Sequence, residues 1–229
     1  MDANEILSRY AAGERDFRDA DLPGADLSGA NLSEADLREA NLSGANLSSA
    51  DLIGASLTDA NLRDADLSDA NLIGAKLGVA ILSNVNLVGA NLSGAELSGA
   101  NMHEATLGAA NLIGAILIRA NLSETNLNGA NLSISNLIGA NLSGANLIGA
   151  NLSGANLIEA NLSGANLNGA RLYRANLAHA KLNGANLSNA DFSDANLAKT
   201  DMTDAKLENA NLEGTIRSLV TNSEPTAVS

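Results

Sequence analysis

The chain has 229 residues and a net charge of −13, from 26 acidic against 13 basic side chains. It has no Cys, no Trp, two Tyr and two Phe. This excludes disulfide and thiolate chemistry, aromatic platforms for nucleic acid and, with no apolar run of about 18 residues, a membrane-spanning helix.

Residues 2–11, "DANEILSRYA", place Ile6, Leu7 and Tyr10 at helical spacing. That spacing predicts a short amphipathic helix. The N-terminus lacks a basic stretch followed by an apolar run, so no signal peptide is read and a cytoplasmic location is the default expectation.

A repeat follows. From Phe17 to Leu212 a large apolar residue returns at every fifth position. The centre is Leu except at Phe17, Met102, Phe192 and Met202. Two residues before it stands Ala, except at Arg15, Val85, Thr125, Ser135 and Thr200, and the residue just before it is mostly Asn or Asp. In an α-helix five residues rotate the face by about 140°, so no apolar stripe forms. In a flat strand an odd repeat turns every second Leu outward. The chain must therefore turn a corner once per repeat, and four corners close a coil of about twenty residues. Phe17, Leu22, Leu27, Leu132, Leu137, Leu142, Phe192 and Met202 are read as core centres, with the small Ala beside them filling a narrow interior.

The corner chemistry agrees. Gly often stands two residues after the centre, where a type II turn needs positive φ. Leu22-Pro23-Gly24-Ala25 is such a turn. Where Glu, Asp or Arg stands there, another turn type is expected. The Asn before each centre has two readings: an amide ladder between coils, as at Asn71, Asn91, Asn111, Asn131 and Asn151, or local support of the turn.

After Gly214 the register breaks into "TIRSLVTNSEPTAVS". Ile216, Leu219 and Val220 can fold over the last coil or join two rods end to end as a homodimer. The expected organisation is an N-terminal helical cap over residues 1–14, a solenoid over 15–214, and a C-terminal cap or tail over 215–229 whose end, 222–229, is disordered.

The tandem Ala-(Asp/Asn)-Leu-x-x pattern over residues 15–214 resembles the pentapeptide repeat family. The Leu centres and the opening "RYAAGERDF" resemble its members abundant in cyanobacteria. The resemblance implies an all-β solenoid, a right-handed quadrilateral β-helix. Forty repeats give about ten four-sided coils and a rod about 48 Å long. It also implies a non-catalytic scaffold for protein–protein interaction. Some members mimic DNA and bind DNA gyrase in quinolone resistance, which is the alternative reading. This chain departs from those in its Leu centres, in the lack of a projecting loop between residues 15 and 214, and in its charge distribution. Residues 1–70 carry 15 acids against 5 bases, and residues 71–190 carry 4 against 5.

Outward positions offer little chemistry. His103 and His179 are the only histidines, about four coils apart, and no Ser is read as lying beside a His. No Gly-rich phosphate loop is needed to explain any Gly, and Thr forms no column of the kind an ice-binding face needs. No enzyme, metal or cofactor is expected, and the acidity opposes direct nucleic-acid binding. Two outer features stand out on the side that holds Phe17. Asp16, Asp19, Asp36, Glu39 and Asp59 form an acidic face, with Arg18 and Arg38 between them. Farther along, Ile118, Ile138 and Ile158 stack in consecutive coils, with Ile116 beside them and Ile113 and Ile134 on the neighbouring corner. An aligned row of exposed Ile marks a candidate face for an unidentified protein partner.

Overall fold

The structure, a computed structural model, describes residues 1–217. The expectations for Leu219, Val220 and the segment to residue 229 lie outside the described residues. Helix α1 spans Ala3–Ala11. The Asp2 side chain accepts the Glu5 backbone N–H at 2.9 Å, which satisfies one of the unpaired donors of the first turn. Arg9 pairs with Glu5 one turn away at 3.4 Å and with Glu14. Ile6 is fully buried, and Leu7 and Tyr10 pack partly buried against the same core. The Tyr10 hydroxyl lies 3.0 Å from the Ser33 carbonyl. The helix thereby covers the first coil, where Phe17, Leu22, Leu27 and Leu32 are buried.

The rest of the described chain is a stack of four-sided coils. Parallel bridges join residues twenty apart in four columns: Asp16 to Asp36, Asp21 to Asn41, Asp26 to Asn46, Asn31 to Asp51, and so on to Asn196 with Ile216. The columns starting at Asp16, Asp21, Asp26 and Asn31 define the first, second, third and fourth sides. A typical repeat makes three bonds between coils. Phe17 N–H donates to the Asp36 carbonyl at 2.8 Å, Asp19 N–H to the Arg38 carbonyl at 3.0 Å, and Asp36 N–H to the Arg15 carbonyl at 2.7 Å. A fourth bond, from Ala20 N–H to the Phe17 carbonyl at 3.2 Å, closes the corner.

Every fifth residue from Asp19 to Gly214 has positive φ, whatever its side chain. The expected change of turn type at Glu, Asp and Arg does not appear in φ. Gly corners lie at 63–70° and the others at 51–62°. A left-handed conformation costs an L-residue about 1–2 kcal/mol. Corner and inter-coil hydrogen bonds meet at the same residue and impose it, so stacking overrides side-chain preference.

Many of the Asn before the centres do both jobs at once, and others only support their own turn. Asn121 Oδ1 accepts the Ser123 backbone N–H at 3.2 Å within its own repeat, while its Nδ2 donates to Asn101 Oδ1 at 3.0 Å in the coil before. Asn141 and Asn161 continue this ladder along the second side. In the column proposed from sequence, only Asn131 and Asn151 join, at 3.2 Å. Asn71 Oδ1 in that column is buried without a partner. The amide donor always points toward the N-terminal coil. The first coil therefore needs only acceptors on its sides, and Asp serves there: Asp21 accepts from Asn41 at 2.8 Å and Asp26 from Asn46 at 3.2 Å.

Leu and Ala fill the interior along the rod, among them Leu132, Leu137 and Leu142, and Phe192 is buried with them. Two polar replacements of Ala are also buried. Thr125 and Ser135 donate their hydroxyls to the Leu122 and Leu132 carbonyls at 2.6 and 2.7 Å, which removes the penalty of burying them. Met202, read from the repeat as a core centre, is only half-buried, and Leu207 is 39% exposed. Among the described residues no complete coil follows to cover them.

Candidate interaction face

The first side is a column from Asp16 to Ile216, bordered by two corners. The corner leading into it from the fourth side carries Ile53, Ile73, Ile113, Ile134 and Tyr173. The corner leading out carries Arg18, Arg38, Val79, Ile118, Ile138 and Ile158. The bridge register stacks these positions coil on coil, because residues twenty apart are paired.

The exposed large apolar residues concentrate here. Ile53, Ile73, Ile134 and Tyr173 lie on the entry corner, Ile116 and Ile216 on the side itself, and Val79 on the exit corner. Elsewhere among the described residues are Met1, Ile81, Val88 and Leu207. The row chosen from sequence is placed together but differs in exposure. Ile118, Ile138 and Ile158, and Ile113 on the entry corner, are half-buried. Successive coils sit about 4.8 Å apart, so stacked side chains cover part of one another. Ile116 is 36% exposed and Ile134 67%. Ile53, Ile73, Val79 and Tyr173 were not singled out from sequence. Ile53 and Ile73 carried a signal, as Ile spaced by twenty residues at one corner, whereas Val79 and Tyr173 carried none of that kind.

The acidic end of the same side is partly neutralised. Arg18 holds Asp16 at 2.7 Å and reaches Asp36 at 3.8 Å, and Arg38 holds Asp36 at 2.6 Å. The hydrogen bonds from Arg18 hold the Asp16 carboxyl down at about 2, and those from Arg38 hold Asp36 below its ordinary value. Asp19, Glu39 and Asp59 occupy the exit corner at positive φ, with no ion-pair partner among the described residues. The outer surface of this side is not uniformly convex. A shallow groove of about 490 Å³ runs along this side between Glu34, Asp36, Arg38, Ser56, Thr58 and Lys76. Ser56 on its floor is smaller than Asp36 and Lys76, which stack on either side of it.

One pairing corrects the sequence reading. His103 does have a Ser beside it, in the next coil: His103 Nδ1 lies 2.9 Å from Ser123 Oγ and 3.2 Å from the Ser123 carbonyl. Its Nε2 is 3.4 Å from Glu104. A carbonyl only accepts, so the contact calls for a proton on Nδ1, and a protonated Nδ1 cannot take one from Ser123. The Ser123 hydroxyl reaches Asn121 Oδ1 at 2.8 Å. This is a hydrogen-bonded strut between coils. Among the described residues no group of His, Asp and Glu could hold a metal ion, and no helix is long and apolar enough to cross a membrane.

Comparison with known proteins matches the model for pentapeptide repeats in eight copies, over residues 16–48, 45–84, 70–108, 80–117, 107–133, 135–174 and 175–214. No curated protein matches the chain. Among solved structures, HetL is a pentapeptide repeat protein involved in heterocyst differentiation regulation from the cyanobacterium Nostoc sp. strain PCC 7120. It is 38% identical over 95% of this chain and 97% of its own, with a TM-score of 0.44. The pentapeptide repeat protein alr5209 from Nostoc PCC 7120 is 38% identical over 46% of this chain and 80% of its own, with a TM-score of 0.30. QnrB1, a plasmid-mediated fluoroquinolone resistance protein, is 15% identical over 87% of this chain and 94% of its own, with a TM-score of 0.54. The last is a likeness of fold alone.

Proposed function

The chain belongs to the pentapeptide repeat family, whose fold is the right-handed quadrilateral β-helix, and on that premise we propose that it is a rigid scaffold that binds a protein partner through its first side. The scaffold is a rod of about ten coils, capped by residues 1–14 and continued by a C-terminal segment from residue 215. The observation that carries the reading is the gathering of exposed apolar residues on one side and its two corners. Exposed apolar side chains gathered on one face of a protein mark a candidate contact site. A rod with bonds between coils in every repeat presents that strip with little conformational entropy to lose on binding. The part of the molecule that binds does no chemistry in this reading, and its work is to hold side chains at fixed spacing.

The absence of Cys allows a clean test. A single cysteine introduced in place of Ile118, Ile138 or Ile158, or of Ile148 on the third side, would carry a photo-crosslinker in extract from the source cells. The reading expects one protein captured from all three first-side positions and not from the Ile148 position. Equal capture from both sides would end it. Purified gyrase in a supercoiling assay separates the alternative of a DNA mimic. The ion-paired Asp16 and Asp36 and the nearly neutral stretch of residues 71–190 favour no inhibition.

A further inference from the structure

Two corners carry β-branched residues at positive φ, Val79 at 51° and Ile134 at 52°. These are the lowest φ values of any corner. β-Branched residues in this region are true outliers, and such strain persists only where the surroundings impose it. Packing does not explain the choice, because Val79 is 52% and Ile134 67% exposed. The next coil makes room for both. A Cβ on Gly99 would lie 3.0 Å from Val79 Cγ1, and one on Gly154 would lie 3.3 Å from Ile134 Cγ2. Strained, exposed and accommodated by glycine, the two side chains border the same first side from opposite corners, with Ile116 on the flat between those corners. Toward the N-terminus the exit corner changes from Val79 to Asp59, Glu39 and Asp19.

The occupant follows from charge. A second copy carries no run of basic residues to set against Asp19, Glu39 and Asp59, and nucleic acid and anionic lipid are repelled. We infer that the first side receives a basic, amphipathic segment of a partner protein, with its apolar face on Val79, Ile116 and Ile134 and its Lys or Arg residues over Asp19, Glu39 and Asp59. This rests on the scaffold reading and adds the chemistry and polarity of the partner. Apolar contact supplies affinity, and the acidic corner sets direction and association rate.

The test uses the full chain and two synthetic amphipathic peptides, one of Lys and Leu and one of Glu and Leu. Binding is followed by titration calorimetry, and thermal midpoints are recorded for every variant. The Lys/Leu peptide should bind the parent protein and the Glu/Leu peptide should not. The double variant Val79→Gly, Ile134→Gly should bind it about tenfold more weakly, yet melt no lower than the parent, because Gly relieves positive φ. The neutralised variant Asp19→Asn, Glu39→Gln, Asp59→Asn should also bind more weakly, and its residual binding should depend less on salt. Equal binding to all three proteins overturns the inference, and so does a lower melting point for the double Gly variant, which would make the two side chains packing residues. Crosslinking confined to the first side, with no preference between the peptides, would leave the scaffold standing and remove only the partner's chemistry.

Discussion

The two ends of the rod are built from one repeat and differ in burial. At the N-terminal end, α1 sets Ile6 on the first coil, and Phe17, Leu22 and Leu27 are as buried as centres in the middle. At the C-terminal end Met202 and Leu212 are half-buried and Leu207 is exposed, around a hollow of about 270 Å³. The repeat therefore does not bury its own Leu. Each coil is sealed by its neighbours or by a cap, as expected of a nearly one-dimensional protein whose stability is a sum of neighbour terms.

The strongest way to break this comparison is to make one substitution at both places. Leu132→Ala in the middle should cost about 2–5 kcal/mol. Leu207→Ala, at an exposed centre near the C-terminal end of the described residues, should cost less than about 1 kcal/mol. Urea denaturation of both variants measures the difference, and equal losses would mean that burial is set within each repeat. Next in size is the cap. Ile6→Ala should cost about 2–4 kcal/mol, and hydrogen exchange should show the loss as faster exchange of Leu22, Leu27 and Leu32, with the centre of the rod unchanged.

The amide ladder sharpens the same contrast. Asn121→Asp removes the donor to Asn101 and sets a carboxylate against its oxygen, at a cost of about 1 kcal/mol. Asp21→Asn in the first coil should change stability very little, because Asp21 only accepts there. The smallest effect is on pH. The Asp16 carboxyl lies near 2 in the folded chain, held down mainly by hydrogen bonds from Arg18, below the ordinary value of about 3.9. Its contribution is complete above that ordinary value and is lost as pH falls through about 2. The side chain is exposed, so the expectation is a slight flattening of the thermal midpoint between pH 4 and 2 in Asp16→Asn, followed by circular dichroism.

The coil was legible because a period of five fits neither helix nor strand, and because Ala and Leu at fixed places admit only one interior. The corners were less legible. Side-chain preference at Glu39 or Arg119 argues for a different turn, and only the stacked backbone shows that both take positive φ. The two readings of Asn looked exclusive, since a one-dimensional pattern does not show that Oδ1 and Nδ2 face different partners. His103 and Ser123 were missed for a related reason: neighbours in this fold are twenty residues apart, and local spacing hides them. The Ile row was found by column, yet its exposure was not, because stacked side chains shield one another. The end at Met202 shows the same limit, as repeat position alone says nothing of what lies beyond it.

The central claim is that one side of a uniform rod is the binding side, and matched charges test it most directly. Ile138 on the first side and Ile148 on the third hold the same place in the repeat and are both half-buried. Ile138→Asp and Ile148→Asp should therefore melt alike. Each would also carry Ile158→Cys, with a photo-crosslinker attached to the introduced thiol. Both proteins would be exposed to extract from the source cells and the captured protein quantified. The account predicts that Ile138→Asp loses the capture and Ile148→Asp keeps it. Capture kept by both, or lost equally by both, would contradict it.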